Sequence, residues 1–456
     1  VMIMSIFNIT KSDFKQNLST DKLAKVKYGE IFTSFSLIED ILNLIPETYF
    51  TDPNKKWLDT GAGTGYFSLC LFWKLDKGLR LKIPDKQERF THIIENMIFM
   101  CEIRTININK LIKLFGNNSN IISGDFLNHV GTYDIVIGNP PYNSEGIRKV
   151  PTNKVKNKKV DDGKTIWIDF TKHAITCLKK EGMLVYIIPS IWMRPDRVKM
   201  YNFMMQYKIN KLKCLTNTQT NRYFRGEAQT PTCYFCMTKK ENDFCVKLYD
   251  RDLDAFVDYH YKLNDPLPVF GANIIKKLIN RDVEKMICFK TNMPSKNASI
   301  KTVPDKIHKY KNIKTCILKK ISPELIINYS DKPLKYHGKS KLVMAHKMYG
   351  FPFIDVKGEY GISNRDNYVI LSDNIEYLER LASFFKTKTA LYLFETTRYR
   401  MKYLEKEIFK ILPDPTKLSG APDIFTDQSI WNYFNFSETE IQSIVNLHSK
   451  NYNFEF

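Results

Sequence analysis

The chain has 456 residues, with 69 Lys and Arg against 49 Asp and Glu, a formal charge of +20. That length suggests two or three domains, and an apolar content of 43% is enough to build their cores, which excludes a wholly disordered chain. No apolar run approaches the ~18 residues of a membrane-spanning helix, the opening residues lack a secretion-signal pattern, and the cysteines are scattered as reduced thiols inside a cell would be.

From residue 22 to 240, apolar runs alternate with amphipathic stretches. Strands are expected at 56–60, 97–102, 120–127, 133–138, 182–189, 209–215 and 231–237, and helices near 66–77, 86–96, 104–115, 165–180 and 196–207. Such alternation predicts a doubly wound, Rossmann-like α/β sheet of seven strands, mostly parallel, with helices on both faces. The last two strands are joined only by the loop 216–230 and are expected to be antiparallel, because a parallel crossover needs a longer connection. Past residue 240 the alternation ends. Residues 1–244 are expected to form one domain and 245–456 a mixed α+β second domain. The second domain carries helices near 373–386 and 387–411, closed by Leu412-Pro413-Asp414-Pro415.

The positive charge is uneven. Residues 1–150 carry 18 basic and 16 acidic side chains, whereas 151–244 carry 18 and 8, and 245–456 carry 33 and 25. One basic window runs from Arg148 to Lys164 and includes Lys149, Lys154, Lys156, Lys158 and Lys159. A second runs from Lys285 to Lys347, with 15 basic and 3 acidic residues, and has Tyr310, Tyr329, Tyr336 and His337 among the lysines. Two such windows point to a groove for a polyanion, with aromatic surfaces beside the charges.

Four segments carry the chemistry. Lys56-Trp57-Leu58-Asp59-Thr60-Gly61-Ala62-Gly63-Thr64-Gly65 reads as a buried strand entering a glycine turn before a helix. It lacks the Lys-Ser/Thr of a phosphate loop, and Asp59 would repel a pyrophosphate but suit an ammonium. S-adenosylmethionine, with a cationic amino-acid end and no phosphate, fits that chemistry. Glu102, closing the next strand, is placed to hold ribose hydroxyls, in preference to Asp85, which precedes a helix. Asp125 in Ser123-Gly124-Asp125-Phe126 could accept from an adenine amine, with Phe126 packed on the ring. The fourth segment, Asn139-Pro140-Pro141-Tyr142, follows an apolar strand. The prolines stiffen the loop and remove N–H donors, so carbonyls face a ligand. The Asn139 side chain and the Pro140 carbonyl could hold both hydrogens of an exocyclic amine, turning its lone pair toward a methyl donor, while Tyr142 stacks on the base.

In this order, the glycine turn, Gly-Asp-Phe and Asn-Pro-Pro-Tyr resemble the N6-adenine DNA methyltransferases of restriction–modification systems, which occur in bacteria and in large DNA viruses. The resemblance covers about 22–240. It implies a methyltransferase sheet followed by a C-terminal recognition domain, the gamma arrangement of the family, and double-stranded DNA as partner with the target adenine flipped out. It also implies a cognate restriction endonuclease and a location in a bacterial or virus-infected cell. By the same resemblance Tyr28-Gly29-Glu30-Ile31-Phe32-Thr33-Ser34 contributes Thr33 to the cofactor site, with Ser34 where the family commonly has Pro. Phe224, chosen over Tyr223, stacks on the target base. The Arg148–Lys164 window directly follows the catalytic loop and is placed to hold phosphates beside the flipped base. Protein glutamine or RNA as substrate, and a silent DNA-recognition subunit, are the alternatives.

Cys233 and Cys236 form a CxxC without a second pair and are read as packing residues, and no histidine spacing suggests a metal.

Overall fold

A computed structural model of the protein describes residues 27–29, 31–144, 164–226, 228, 230–279, 282–319, 322–346, 352–400 and 405–449. The chain divides into two compact units, Val1–Tyr249 with Phe256–Leu263, and Asp250–Ala255 with Asn264–Phe456.

The first unit is built on one mixed sheet. Its strands are β1 (Trp57–Asp59), β2 (Ile98–Glu102), β3 (Asn120–Ser123), β4 (Tyr133–Gly138), β5 (Leu178–Pro189), β6 (Tyr207–Leu215), β7 (Thr232–Glu241), β8 (Cys245–Asp250) and β9 (Ala255–His260). They lie in the order β9-β8-β6-β7-β5-β4-β1-β2-β3. Helix α1 (Phe35–Leu42) precedes β1. Helices α2 (Tyr66–Gly78) and α3 (Lys86–His92) lie between β1 and β2, α4 (Thr105–Phe115) follows β2, α5 (Trp167–Thr176) precedes β5, α6 (Met200–Met204) precedes β6, and α7 (Asn217–Tyr223) precedes β7.

From β3 to β5 the neighbouring strands are parallel. As expected, β6 and β7 are antiparallel, and β7 also runs antiparallel to β5. Trp57, Leu58, Ile135, Val136 and Ile137 are fully buried, which is why these strands read as continuous apolar runs: both faces are covered by helices.

The sheet has nine strands where seven were expected. The two extra strands, β8 and β9, extend the edge beyond β6 and lie past residue 244. Only alternate residues of β8 turn inward, Val246, Leu248 and Asp250, and β9 is mostly exposed. Their composition is therefore that of a polar edge, not of a buried strand.

The segment before β2 is tied down by Arg89. Its guanidinium meets Asp76 at 2.8 Å and donates to the carbonyls of Ile83 and Pro84. Asp85 caps α3 by accepting from the Glu88 N–H at 2.7 Å, so its carboxylate serves the helix start.

The second unit has two four-stranded sheets. One orders the strands Phe289–Lys290, Asn367–Leu371, Lys341–Ala345 and Phe353–Asp355. The other contains the long antiparallel pair β10 (Tyr310–Lys319) and β11 (Ser322–Ser330), with Ile300–Lys301 and Gly361–Ile362 on either side. Ile313, Tyr336, Val343, Ile362 and Val369 form a core among them. Helices Ile375–Phe385 and Lys388–Thr396 follow. The second helix expected here, 387–411, is not continuous: the described residues give Lys388–Thr396 and Ile408–Ile411 as separate helices, and the chain leaves helical form after Thr396.

Candidate active site

The strand order reverses between β1 and β4: β2 and β3 lie on one side, β5 on the other. At such a reversal the loops after neighbouring strands part to opposite faces and leave a crevice at the strands' carboxyl ends. A cleft of about 590 Å³ opens there. Among its lining residues are Thr33, Gly61, Gly63, Glu102, Asp125, Phe126, Asn139 and Pro141. These were proposed from separate motifs spread over more than a hundred residues, and the topology brings them to one opening.

The glycine turn forms the cleft floor. The N–H of Ala62 donates to the Cys101 carbonyl at 3.0 Å, fixing the turn against β2, and Gly65 N–H donates to the Ala62 carbonyl at 2.8 Å. Gly65 sits at φ +94, and a Cβ there would come within about 3.0–3.1 Å of Leu111, Leu114 and Phe115. Gly65 thus starts α2 and allows α4 to approach, and it is not among the residues lining the cleft.

Asp59 also departs from its expected place. It is 1% exposed and does not line the cleft. Its carboxylate accepts from the Ser68 hydroxyl at 2.8 Å and from the Gly61 N–H at 3.3 Å, so it holds the turn from behind and does not face an ammonium. Burial outweighs these hydrogen bonds and pushes its pKa up to about 7. Beside it, the Thr60 hydroxyl and the buried Tyr186 hydroxyl are 2.5 Å apart.

Glu102 ends β2 and is nearly buried. One oxygen accepts from Gly63 N–H at 2.8 Å and the other from Arg104 N–H at 2.7 Å. The carboxylate therefore ties the glycine turn to the start of α4 at the cleft wall. Asp125 is exposed and accepts from Leu127 N–H at 3.0 Å. Phe126 is buried against Phe170, ring centroids 5.3 Å apart, and His173 at 4.9 Å.

Asn139 follows β4. Its Nδ2 donates to the Thr33 hydroxyl oxygen at 3.0 Å. Its Oδ1 is buried and has no hydrogen-bond partner among the described residues. Pro141 lines the cleft, whereas Pro140 is buried and not part of the lining.

The two expected stacking aromatics are not presented to the cleft. Tyr142 is 7% exposed, its hydroxyl lies 3.5 Å from the Ile187 carbonyl oxygen, and burial drives its pKa well above the usual range. Phe224 is 1% exposed within the hydrophobic core. The reason is helical register: Thr220 and Phe224, four residues apart, both turn inward from α7 and its end, while Tyr223 stays partly exposed. Arg225, next in sequence, lies 5.7 Å from the Phe32 ring centroid.

Several lining residues were missed. Ile103, Ile106, Asn107 and Lys110 follow Glu102 at helical spacing, and Phe170 comes from α5. The helical spacing of the first four was a usable signal; Phe170 reaches the cleft only because α5 folds across Phe126. Tyr28, also in the lining, has Lys27 and Arg104 near its ring, at 5.2 and 5.6 Å. The basic residues Arg148, Lys149, Lys154, Lys156, Lys158 and Lys159 lie outside the described residues. Cys233 and Cys236 are buried on β7, and burial raises both thiols to about 12.

A doubly wound sheet with a cleft at its reversal defines an α/β fold in the first unit. Residues 22–224 match the Eco57I restriction-modification methylase family. The resemblance to restriction–modification methyltransferases therefore holds over that segment.

Comparison with curated proteins gives no match. Among solved structures, the type I restriction-modification methyltransferase subunit from Streptococcus thermophilus is 17% identical, with 52% of each chain covered and a TM-score of 0.33. The EcoKI M protein of a type I restriction enzyme is 17% identical over 49% of each chain, with a TM-score of 0.35. The ATP-dependent Type ISP enzyme LlaBIII, solved bound to DNA, is 10% identical, with 83% of this chain and 39% of that chain covered and a TM-score of 0.45. The chain thus spans about half the length, or less, of these proteins. No helix among the described residues is long and apolar enough to cross a membrane.

Proposed function

We propose that the first unit transfers a methyl group from S-adenosylmethionine to the N6 amine of an adenine in double-stranded DNA, and that the second unit chooses and holds the target. The observation that carries this reading is the buried, unpartnered Oδ1 of Asn139 at the edge of the cleft. A buried carbonyl left without a donor costs about 1–3 kcal/mol, so it marks the place where a ligand donor belongs. The Asn-Pro-Pro frame offers acceptors and few donors, which suits an NH2 group.

The cleft also fits the cofactor. Glu102 and Asp125 put carboxylates, acceptors for hydroxyl or amine donors, on its lining, Phe126 gives an apolar wall, and the glycine turn leaves room for close backbone approach. When bound, the cofactor supplies a methyl group on a sulfonium. The chain's part is to position and to polarise. Asn139 Oδ1 accepts one hydrogen of the amine and orients its lone pair, in a site that needs no covalent intermediate. Pro141 stiffens the loop that carries it. With Tyr142 and Phe224 buried, the rings that line the cleft on the segment carrying Thr33 are Tyr28 and Phe32.

DNA as substrate is supported by the family match over 22–224 and by the charge, +20 overall and concentrated after residue 150. In a duplex the amine is inside the stack, so the adenine must be flipped out. A cognate endonuclease is part of the same proposal.

The test uses labelled cofactor with duplex DNA, RNA or protein, followed by digestion. Label on adenine N6 in DNA is expected; label on glutamine would overturn the substrate assignment. Asn139→Ala should lower transfer by at least about a hundredfold while cofactor binding is kept. Equal loss of both would remove Asn139 from the catalytic role.

A further inference from the structure

Asn139 has two ends that differ in chemistry but hardly in shape. With Oδ1 toward the substrate it accepts from an amine. Turned by 180° it presents two N–H donors, which face the amine's own donors and repel them. The buried site must therefore fix the amide. Among the described residues the side chain has one hydrogen bond, from Nδ2 to the Thr33 hydroxyl oxygen at 3.0 Å.

We infer that Thr33 is a positioning residue that sets which end of Asn139 meets the substrate. A hydroxyl alone can accept from Nδ2 or donate to Oδ1, so it selects an orientation only if its own hydrogen is used elsewhere. Thr33 is 6% exposed, lines the cleft, and has no other hydrogen-bond partner among the described residues. Its hydrogen is thus available to an acceptor inside the cleft. An anionic or carbonyl group bound there takes that hydrogen and leaves Thr33 with only its acceptor role toward Asn139. Occupancy of the cofactor end of the cleft then locks Oδ1 toward the substrate end. The backbone supports this link over a sequence gap of 106 residues, because Thr33 directly precedes the Ser34 start of α1 and Asn139 directly follows β4.

The inference rests on the proposed amine-methyl transfer, and its test has an arm that does not. Thr33→Val keeps the shape and removes the hydroxyl; Thr33→Ser restores it. Single-turnover transfer to an adenine-containing duplex is measured at saturating cofactor, so altered affinity does not enter, and thermal melting checks that each variant folds. Thr33→Val should fall by about tenfold or more and Thr33→Ser should stay within about threefold. In parallel, the Asn139 side-chain amide is followed by ¹⁵N NMR, assigned from Asn139→Ala, with and without S-adenosylhomocysteine. In the parent and in Thr33→Ser the ligand should shift the signal and slow its hydrogen exchange; in Thr33→Val it should do neither. Folded Thr33→Val with parental turnover, or with a parental amide response, overturns the inference. A parent that responds by NMR but methylates no DNA overturns the substrate assignment and leaves the Thr33–Asn139 link standing.

Discussion

Asp59 is a carboxylate held where water does not reach, and its titration should be visible in the stability of the fold. Its folded pKa of about 7 stands above the ordinary 3.8 because burial penalises the charge more than Ser68 and Gly61 repay it. Between those values the folded protein keeps a proton that the unfolded chain has released. The group's contribution is thus complete below about pH 4 and is lost as pH rises toward 7. Asp59→Asn carries no such proton. Urea midpoints of the two proteins should diverge from pH 5 to 7.5, with the parent losing stability relative to Asp59→Asn; parallel curves would place the charge elsewhere.

At the scale of elements, the glycine turn and α4 depend on one another. Glu102 clamps Gly63 to Arg104, and Gly65 lets Leu111, Leu114 and Phe115 come close. Gly65→Ala adds a methyl at φ +94 against those three side chains. The expected cost is about 1–3 kcal/mol in chemical denaturation, with weaker binding of S-adenosylhomocysteine by calorimetry. A variant as stable as the parent would mean that α4 yields at no cost. In the second unit, one lysine of the basic window is structural. Lys341 is fully buried, is paired with Asp355, and donates to the carbonyls of Tyr336 and Lys339. Tyr336, expected among the stacking surfaces, is likewise a core residue.

For the molecule as a whole, the charge divides by task. Lys296, Lys306, Lys309, Lys314, Lys332, Lys335 and Lys339 are exposed in the second unit, and these, not Lys341, are the candidates to meet phosphates. Replacing Lys309, Lys314, Lys335 and Lys339 with Gln should weaken duplex binding and flatten its salt dependence. The loss of slope should be about 0.9 for each phosphate contact removed. An unchanged slope would take DNA away from this surface.

Much of the sheet was legible because buried strands and amphipathic helices impose their periods on the sequence, and because a turn such as Gly61–Gly65 needs glycine. The edge strands β8 and β9 were not, since a polar edge looks like a loop. Neither was the inward turn of Phe224, which follows from where α7 starts. The sequence by itself determined that Thr33, Glu102, Asp125 and Asn139 carry polar groups at the ends of elements. Only the tertiary structure decided that Asp59 works behind the loop, that Tyr142 is covered, and that Thr33 meets Asn139. Those outcomes depend on which atoms exclude water and which approach within hydrogen-bond reach, and long-range packing sets both.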